Sequence, residues 1–218
     1  MNGIKFNDIH SYYDLNLILS QCSISPATPK TNYIDIPGAD GSLDLTEAHG
    51  NIKYNDRTGK LVFSVLPGED FEQKKSEISN LLNGKHFDKI TLDKDPDYYY
   101  RGRCSINDWK CDKRIGQITV DLRLKPYKFK QNVTEVEVTT PNIYHMLMVN
   151  LKNEAMPTIP TIIITGSGST EIAYNGSTVY SPGTYIVPEY CLYAGDNVFT
   201  ITQPETNKVK FIYQEGSL

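Results

Sequence analysis

The chain has 218 residues, with 22 Lys and Arg against 26 Asp and Glu, and 39% apolar residues including 15 tyrosines. At about 150 residues per domain this is one large domain or two small ones, with enough apolar surface to exclude wholesale disorder. A charge of −4 argues against a dedicated nucleic-acid binder, which needs a basic footprint, and no apolar run approaches the roughly 18–20 residues of a membrane span. Met1–Phe6 has no cationic stretch leading into an apolar one, so no signal peptide is expected. Cys22, Cys104, Cys111 and Cys191 lack zinc-site spacing and are expected to be free, mostly buried thiols.

Composition changes near residue 130. Residues 1–130 hold 37 charged side chains, whereas residues 131–218 hold 11 and carry a charge of −5. Lys125-Pro126-Tyr127-Lys128 lies on this shift, and the expected division is into domains 1–130 and 131–218.

In the first part, Tyr13, Leu15, Leu17 and Leu19 alternate with polar residues and predict a half-buried strand. Lys60–Leu66 reads as another, entered from a turn at Asp56-Arg57-Thr58-Gly59. One helix is expected. Asp70 can cap it, Phe71, Ile78, Leu81 and Leu82 share a side, and Asn83-Gly84 can end it. Lys74 and Lys75 are placed on its opposite side. In Ile115–Leu124, Ile118, Val120, Leu122 and Leu124 alternate strictly, a strand buried on one face. The second part shows only short β-branched runs, at 158–165, 170–174, 197–202 and 208–213. Gly, Pro and Asn turns separate them, which is the rhythm of a β-sandwich. The fold class is therefore mainly β, with one α-helix in the N-terminal, β-sandwich-like domain.

No constellation for catalysis emerges. There is no nucleophile elbow, Walker loop, dinucleotide fingerprint or H-E-x-x-H. Gly166-Ser167-Gly168-Ser169 is followed by a strand, not by the helix N-terminus a phosphate cradle requires, and is read as a hairpin turn. Asp40–Asp44 has calcium-like oxygen spacing, but Leu45 and Asn51 stand where glycine and glutamate are needed. Asp93, Asp95 and Asp97 cluster on a proline-containing turn that water should solvate. His10, His49, His86 and His145 are dispersed. Tyr144, Tyr174, Tyr180, Tyr185, Tyr190, Tyr193 and Tyr213 offer stacking rings for a sugar, although tyrosine in a sandwich usually serves the core.

One order of segments is distinctive. Tyr33-Ile34-Asp35-Ile36-Pro37-Gly38-Ala39-Asp40-Gly41-Ser42-Leu43-Asp44-Leu45 precedes the strand near 61–65 and the helix ending at Asn83-Gly84. Ile90–Arg103 and a strand closing on Leu124-Lys125-Pro126-Tyr127-Lys128 then follow. Over residues 1–130 this resembles the N-terminal domain of the distal tail proteins of siphophages, phages with long non-contractile tails. The second part is similar to that family's galectin-like β-sandwich in strand rhythm and length.

The resemblance implies a structural protein without catalytic residues, cofactor or metal. It implies a homohexameric ring at the virion tail tip, assembled in the host cytoplasm, that joins the tail-tube protein to a tail-associated tip protein. DNA would pass through the ring's channel without sequence-specific binding, and the outer galectin-like domains would dock receptor-binding proteins without membrane insertion. On that basis Ile36, Pro37, Gly38, Asp40, Gly41, Leu43 and Leu45 are expected at a subunit interface. Asp93, Asp95 and Asp97 are expected along the channel, where carboxylates would repel phosphate. The alternative is a carbohydrate-binding module of a tail adhesion device. Galectins that bind sugar carry an H-x-N-P-R stretch and a stacking tryptophan, and residues 131–218 contain neither.

Overall fold

The computed structural model describes residues 3–48, 50–65, 70–112, 115–139, 145–203 and 207–218. The chain is mainly β with one α-helix, and divides into two compact units, 1–128 and 129–218.

The first unit contains β1 (Ile4–Phe6), β2 (Ile9–His10), β3 (Leu17–Ile24), β4 (Tyr33–Asp35), β5 (Ser42–Asp44) and β6 (Arg57–Val65). Helix α1 (Phe71–Leu82), β7 (His86–Leu92), β8 (Asp95–Asp112) and β9 (Ile115–Leu124) complete it. Seven of its strands form one antiparallel sheet in the order β2-β1-β7-β8-β9-β6-β3. The sheet curls until Leu19 and Cys22 on β3 face Gly3 and Leu92 across a shallow cleft, a sandwich-like closure over a shared core. Ile4, Phe6, Leu61, Phe63, Ile90, Ile118 and Val120 fill that core, with Ile78 and Leu82 of α1 laid against it.

The alternation over 115–124 emerges as β9, with Ile118, Val120, Leu122 and Leu124 buried. Asp70 caps α1 by accepting from the N–H groups of Glu72 and Gln73, and Gly84 follows with φ +69°. Three expectations are corrected here. Lys74 does not lie opposite the apolar side; three residues after Phe71 it shares that side, is buried, and pairs with Glu77 at 2.8 Å. Tyr13 and Leu15 precede β3 in a turn region, and Tyr13 is exposed. Arg57, Thr58 and Gly59 belong to β6, paired with Leu124, Arg123 and Leu122 of β9, and a Cβ at Gly59 would press on Ile24 and Leu122 at 3.3 Å.

Straddling the division, β10 (Lys128–Lys130) pairs with β19 (Gly216–Ser217). The second unit continues through β11 (Thr134–Thr139), β12 (His145–Asn153), β13 (Thr161–Thr165), β14 (Thr170–Ala173) and β15 (Ser177–Tyr180). After these come β16 (Gly183–Ile186), a 3₁₀ turn (Pro188–Tyr190), β17 (Gly195–Gln203) and β18 (Lys208–Tyr213). Two four-stranded antiparallel sheets, β11-β18-β13-β16 and β12-β17-β14-β15, make a sandwich. Ile162, Ile164, Val209 and Phe211 of one meet Leu151, Ile172, Phe199 and Ile201 of the other.

The Gly166–Ser169 turn is not a hairpin. It carries the chain from β13 in one sheet to β14 in the other, and a buried asparagine holds it. Asn207 Oδ1 accepts from the N–H groups of Ser167 (3.0 Å) and Gly168 (3.1 Å), while Nδ2 donates to Gly168 O (2.7 Å) and Thr170 Oγ1 (2.9 Å).

Candidate functional site: an exposed hairpin arm

The segment joining β3 to β6 has no core of its own. From Ile18 to Asp56 no described residue is buried, and every residue from Thr28 to Asp44 is exposed. Its foot is tied by hydrogen bonds. Ser25 N–H donates to Thr58 O (2.8 Å) and Thr58 N–H to Ser25 Oγ (3.0 Å). Further out, Asn55 N–H donates to Thr28 O (2.9 Å) and Lys30 N–H to Lys53 O (2.7 Å). The outer part is a separate two-stranded sheet, β4 on β5, with Ile34 opposite Leu43 and Asp35 opposite Ser42. Leu45 N–H extends the ladder to Asn32 O at 2.8 Å.

The tip turns at Pro37-Gly38 and Asp40-Gly41. Gly38 (φ +86°) and Gly41 (φ +74°) take backbone conformations closed to most residues. Ser42 Oγ donates to Asp35 Oδ1 at 2.6 Å. Asp44 accepts from the Thr46 hydroxyl and the Thr46 N–H, and these bonds hold its carboxyl below the ordinary carboxylate value.

Side chains alternate across a strand, so the register sorts the arm into two faces. Ile34, Ile36, Leu43 and Leu45 line one; Tyr33, Asp35, Ser42 and Asp44 line the other. Ile34, Ile36 and Leu43 remain 47–48% exposed. All seven residues expected at an interface thus lie on one arm, with Ile36, Leu43 and Leu45 sharing its apolar face and Pro37, Gly38, Asp40 and Gly41 at or beside its tip. Ile34 belongs with them, and the Ile34/Ile36 alternation was the signal for it.

The acidic trio is dispersed in role. Asp93 follows β7, where Oδ2 accepts the Gly3 N–H at 2.7 Å and Oδ1 lies 3.1 Å from His10 Nε2. His10 Nδ1 accepts from the N–H groups of Tyr12 and Tyr13, which places the ring proton on Nε2, facing Asp93. Asp95 pairs with Lys128 Nζ at 2.8 Å. Asp97 is exposed. Asp93 and Asp95 thereby hold the fold together at this corner.

Other candidate chemistry does not assemble. Among the described residues, no group of three or more His, Cys, Asp and Glu is placed to hold a metal ion, and no helix is long and apolar enough to cross a membrane. His49 and Tyr144 lie outside the described residues. Tyr174, Tyr180, Tyr185, Tyr190 and Tyr213 are core or core-packed, Tyr174 lying flat on Phe199 at 4.3 Å, while Tyr193 is exposed. All four thiols are free, but only Cys104 is buried, and Cys111 is exposed.

The phage tail protein RIFT-related domain matches residues 9–139, more than half of the chain. The chain belongs to this phage tail protein family. Among solved structures, this tail protein is similar over 100% of both chains to the Dit protein (gp 19.1) of phage SPP1, at 15% identity and a TM-score of 0.72. That structure is described as a paradigm of the hub adsorption apparatus in phages infecting Gram-positive bacteria. This tail protein therefore has the fold of a distal tail hub protein. No curated protein sequence matches it.

Proposed function

We propose that this tail protein is the distal tail hub of a siphophage or prophage, a non-enzymatic component built by its host that self-assembles into a hexameric ring. The ring joins the tail-tube protein to the tail-associated tip protein and leaves a channel for the genome. Residues 1–130 form the ring, and the galectin-like sandwich of 131–218 lies outside it as a docking point for receptor-binding proteins. The observation that carries this reading is the arm, whose one-sided row of Ile34, Ile36, Leu43 and Leu45 has no core beneath it.

A ring of identical copies needs a heterologous contact, one patch meeting a different patch on the next copy until the rotation closes. An amphipathic hairpin projecting from the body is suited to such a contact, since it can reach a neighbour without disturbing its own core. In the acidic corner Asp93 and Asp97 are both exposed; Asp93 is engaged by Gly3 and His10, which leaves Asp97 as the residue offered to a channel wall. Asp93 and Asp95 contribute there by fixing the β7–β8 turn that leads into the start of β8, where Asp97 sits. Electron microscopy of the purified protein, alone and with tail-tube and tip proteins, tests the reading. Sixfold rings are expected, and a strict monomer under all these conditions overturns it.

A further inference from the structure

We infer that the arm's receptor on a neighbouring copy is a basic groove beside Gly102, on the outer surface of the same unit that carries the arm. This inference rests on the hub reading and names the partner surface of its contact.

The groove, of about 300 Å³, lies where β8, β9 and the start of β6 run together. Gly102 and Leu124 oppose each other across the β8–β9 ladder at its floor. A Cβ at Gly102 would come within 2.1 Å of Arg123 O, so only glycine permits this close approach. Arg103, Arg123 and Lys125 line the groove, with Asp56 as the counter-charge, which leaves it at +2.

The arm carries the complementary charge. From Thr28 to Ala48 it holds Lys30 against Asp35, Asp40, Asp44 and Glu47, a balance of −3. Its acidic residues are exposed or half-exposed, and Asp44 is held ionised by Thr46. An acidic hairpin therefore meets a groove with a basic rim, whose buried floor at Gly102 and Leu124 gives it depth. Such matched charge steers encounter and excludes wrong registers.

The groove is also ready to exchange partners. Arg123 is tied to Asp56 at 3.0 Å, but its side chain is 77% exposed. An exposed pair of this kind contributes little, so Arg123 can turn to an incoming carboxylate at small cost. Arg103 donates one N–H to Gly84 O and keeps further donors. Because Asp56 stands at the foot of the receiving copy's own arm, the contact runs arm to arm-foot. It is head to tail, as a closing ring requires.

Charge exchange in the full-length protein tests the inference, with assembly read by sedimentation velocity and light scattering. The groove variant Arg103→Glu/Arg123→Glu/Lys125→Glu and the arm variant Asp35→Lys/Asp40→Lys/Asp44→Lys should each associate roughly tenfold or more weakly than the wild type, since each sets like charges together. Mixing the two variants should restore association between unlike copies. If Ile34→Asp/Leu43→Asp abolishes assembly while the groove variant assembles normally, the groove is overturned and the arm-mediated hub stands. A wild type that stays monomeric with its tail partners overturns both. Should the groove variant fail to fold, disulfide trapping of Asp40→Cys with Lys125→Cys in a Cys111→Ser background decides. Intermolecular crosslinks support the groove, and their absence in an assembling protein refutes it.

Discussion

Replacing Ile34 and Leu43 with aspartate should uncouple assembly from folding. Both side chains are about half exposed, at 47% and 48%. Fully burying an Ile or Leu is worth about 1.5–3 kcal/mol, so each still has about 1 kcal/mol to gain when a neighbour covers it. Losing both forfeits about 2 kcal/mol, and forcing two carboxylates against an apolar surface adds about 1–3 kcal/mol more. The sum, about 3–5 kcal/mol, is about two to four decades in the association constant. The body should hardly notice, since both sites lie outside its core, although two aspartates opposite each other weaken the arm's own ladder by about 0.2–1 kcal/mol. Leu61→Ala is the converse control. Leu61 is fully buried in the first unit, and the truncation should cost about 2–5 kcal/mol of folding stability while leaving the arm intact. Sedimentation equilibrium and thermal unfolding on the same preparations separate the two effects. Wild-type assembly in the double variant, or a melting point lowered as far as in Leu61→Ala, would refute the assignment of this face to a partner.

Two further outcomes follow from buried groups. Asn207→Ala removes four side-chain hydrogen bonds at the turn between the sandwich sheets; Ser167 can rehydrate but Thr170 is buried, so a loss of about 2–3 kcal/mol is expected in denaturant unfolding. Cys104, whose thiol burial pushes up to about 12, should resist a thiol reagent at pH 8 in the native protein while exposed Cys111 reacts, and both should react after unfolding. The same shift sets a pH dependence. The unfolded thiol ionises near its ordinary 9.0 while the folded one stays neutral, so this contribution to stability is complete below pH 9 and declines as pH rises toward 12.

Residues whose local pattern and tertiary role agree were legible. The alternation of β9 and the Asp70 and Gly84 ends of α1 needed no knowledge of the rest of the chain. Local pattern misled where the deciding neighbour is distant. Gly59 looks like a turn residue, yet it pairs within a strand with Ile24 on one side and Leu122 on the other, close enough that a Cβ would press on both. Gly166–Ser169 looks like a hairpin, but β14 pairs in the other sheet, and the turn leading to it is held by Asn207, some forty residues on. The length of β8 was hidden by its bulge between Ile106 and Asp108, where the period of two slips and the buried face changes parity. Lys74 was misplaced for a different reason. Its charge suggests solvent, but its spacing from Phe71 and Ile78 places its stem over the core. At the arm, the turn chemistry of Gly38 and Gly41 was readable. That Ile34, Ile36, Leu43 and Leu45 form one face with nothing beneath them follows only from the register.

That missing core explains why the arm points to assembly. A two-stranded hairpin is at best marginally stable in water, since few residues repay the entropy of ordering it. Here the hydrogen bonds at Ser25–Thr58 and Lys30–Lys53 fix where the arm leaves the body, and the glycine turns fix its tip. Neither supplies burial for the apolar face. A neighbouring copy can supply that burial, and the direction of the coupling follows. Surface covered only in the assembled state favours assembly over the isolated folded chain by whatever it removes from water. In the proposed contact, each arm that docks would also present its own chain's foot and groove to the next copy. A head-to-tail contact of this geometry leaves no unsatisfied arm only when the ring closes.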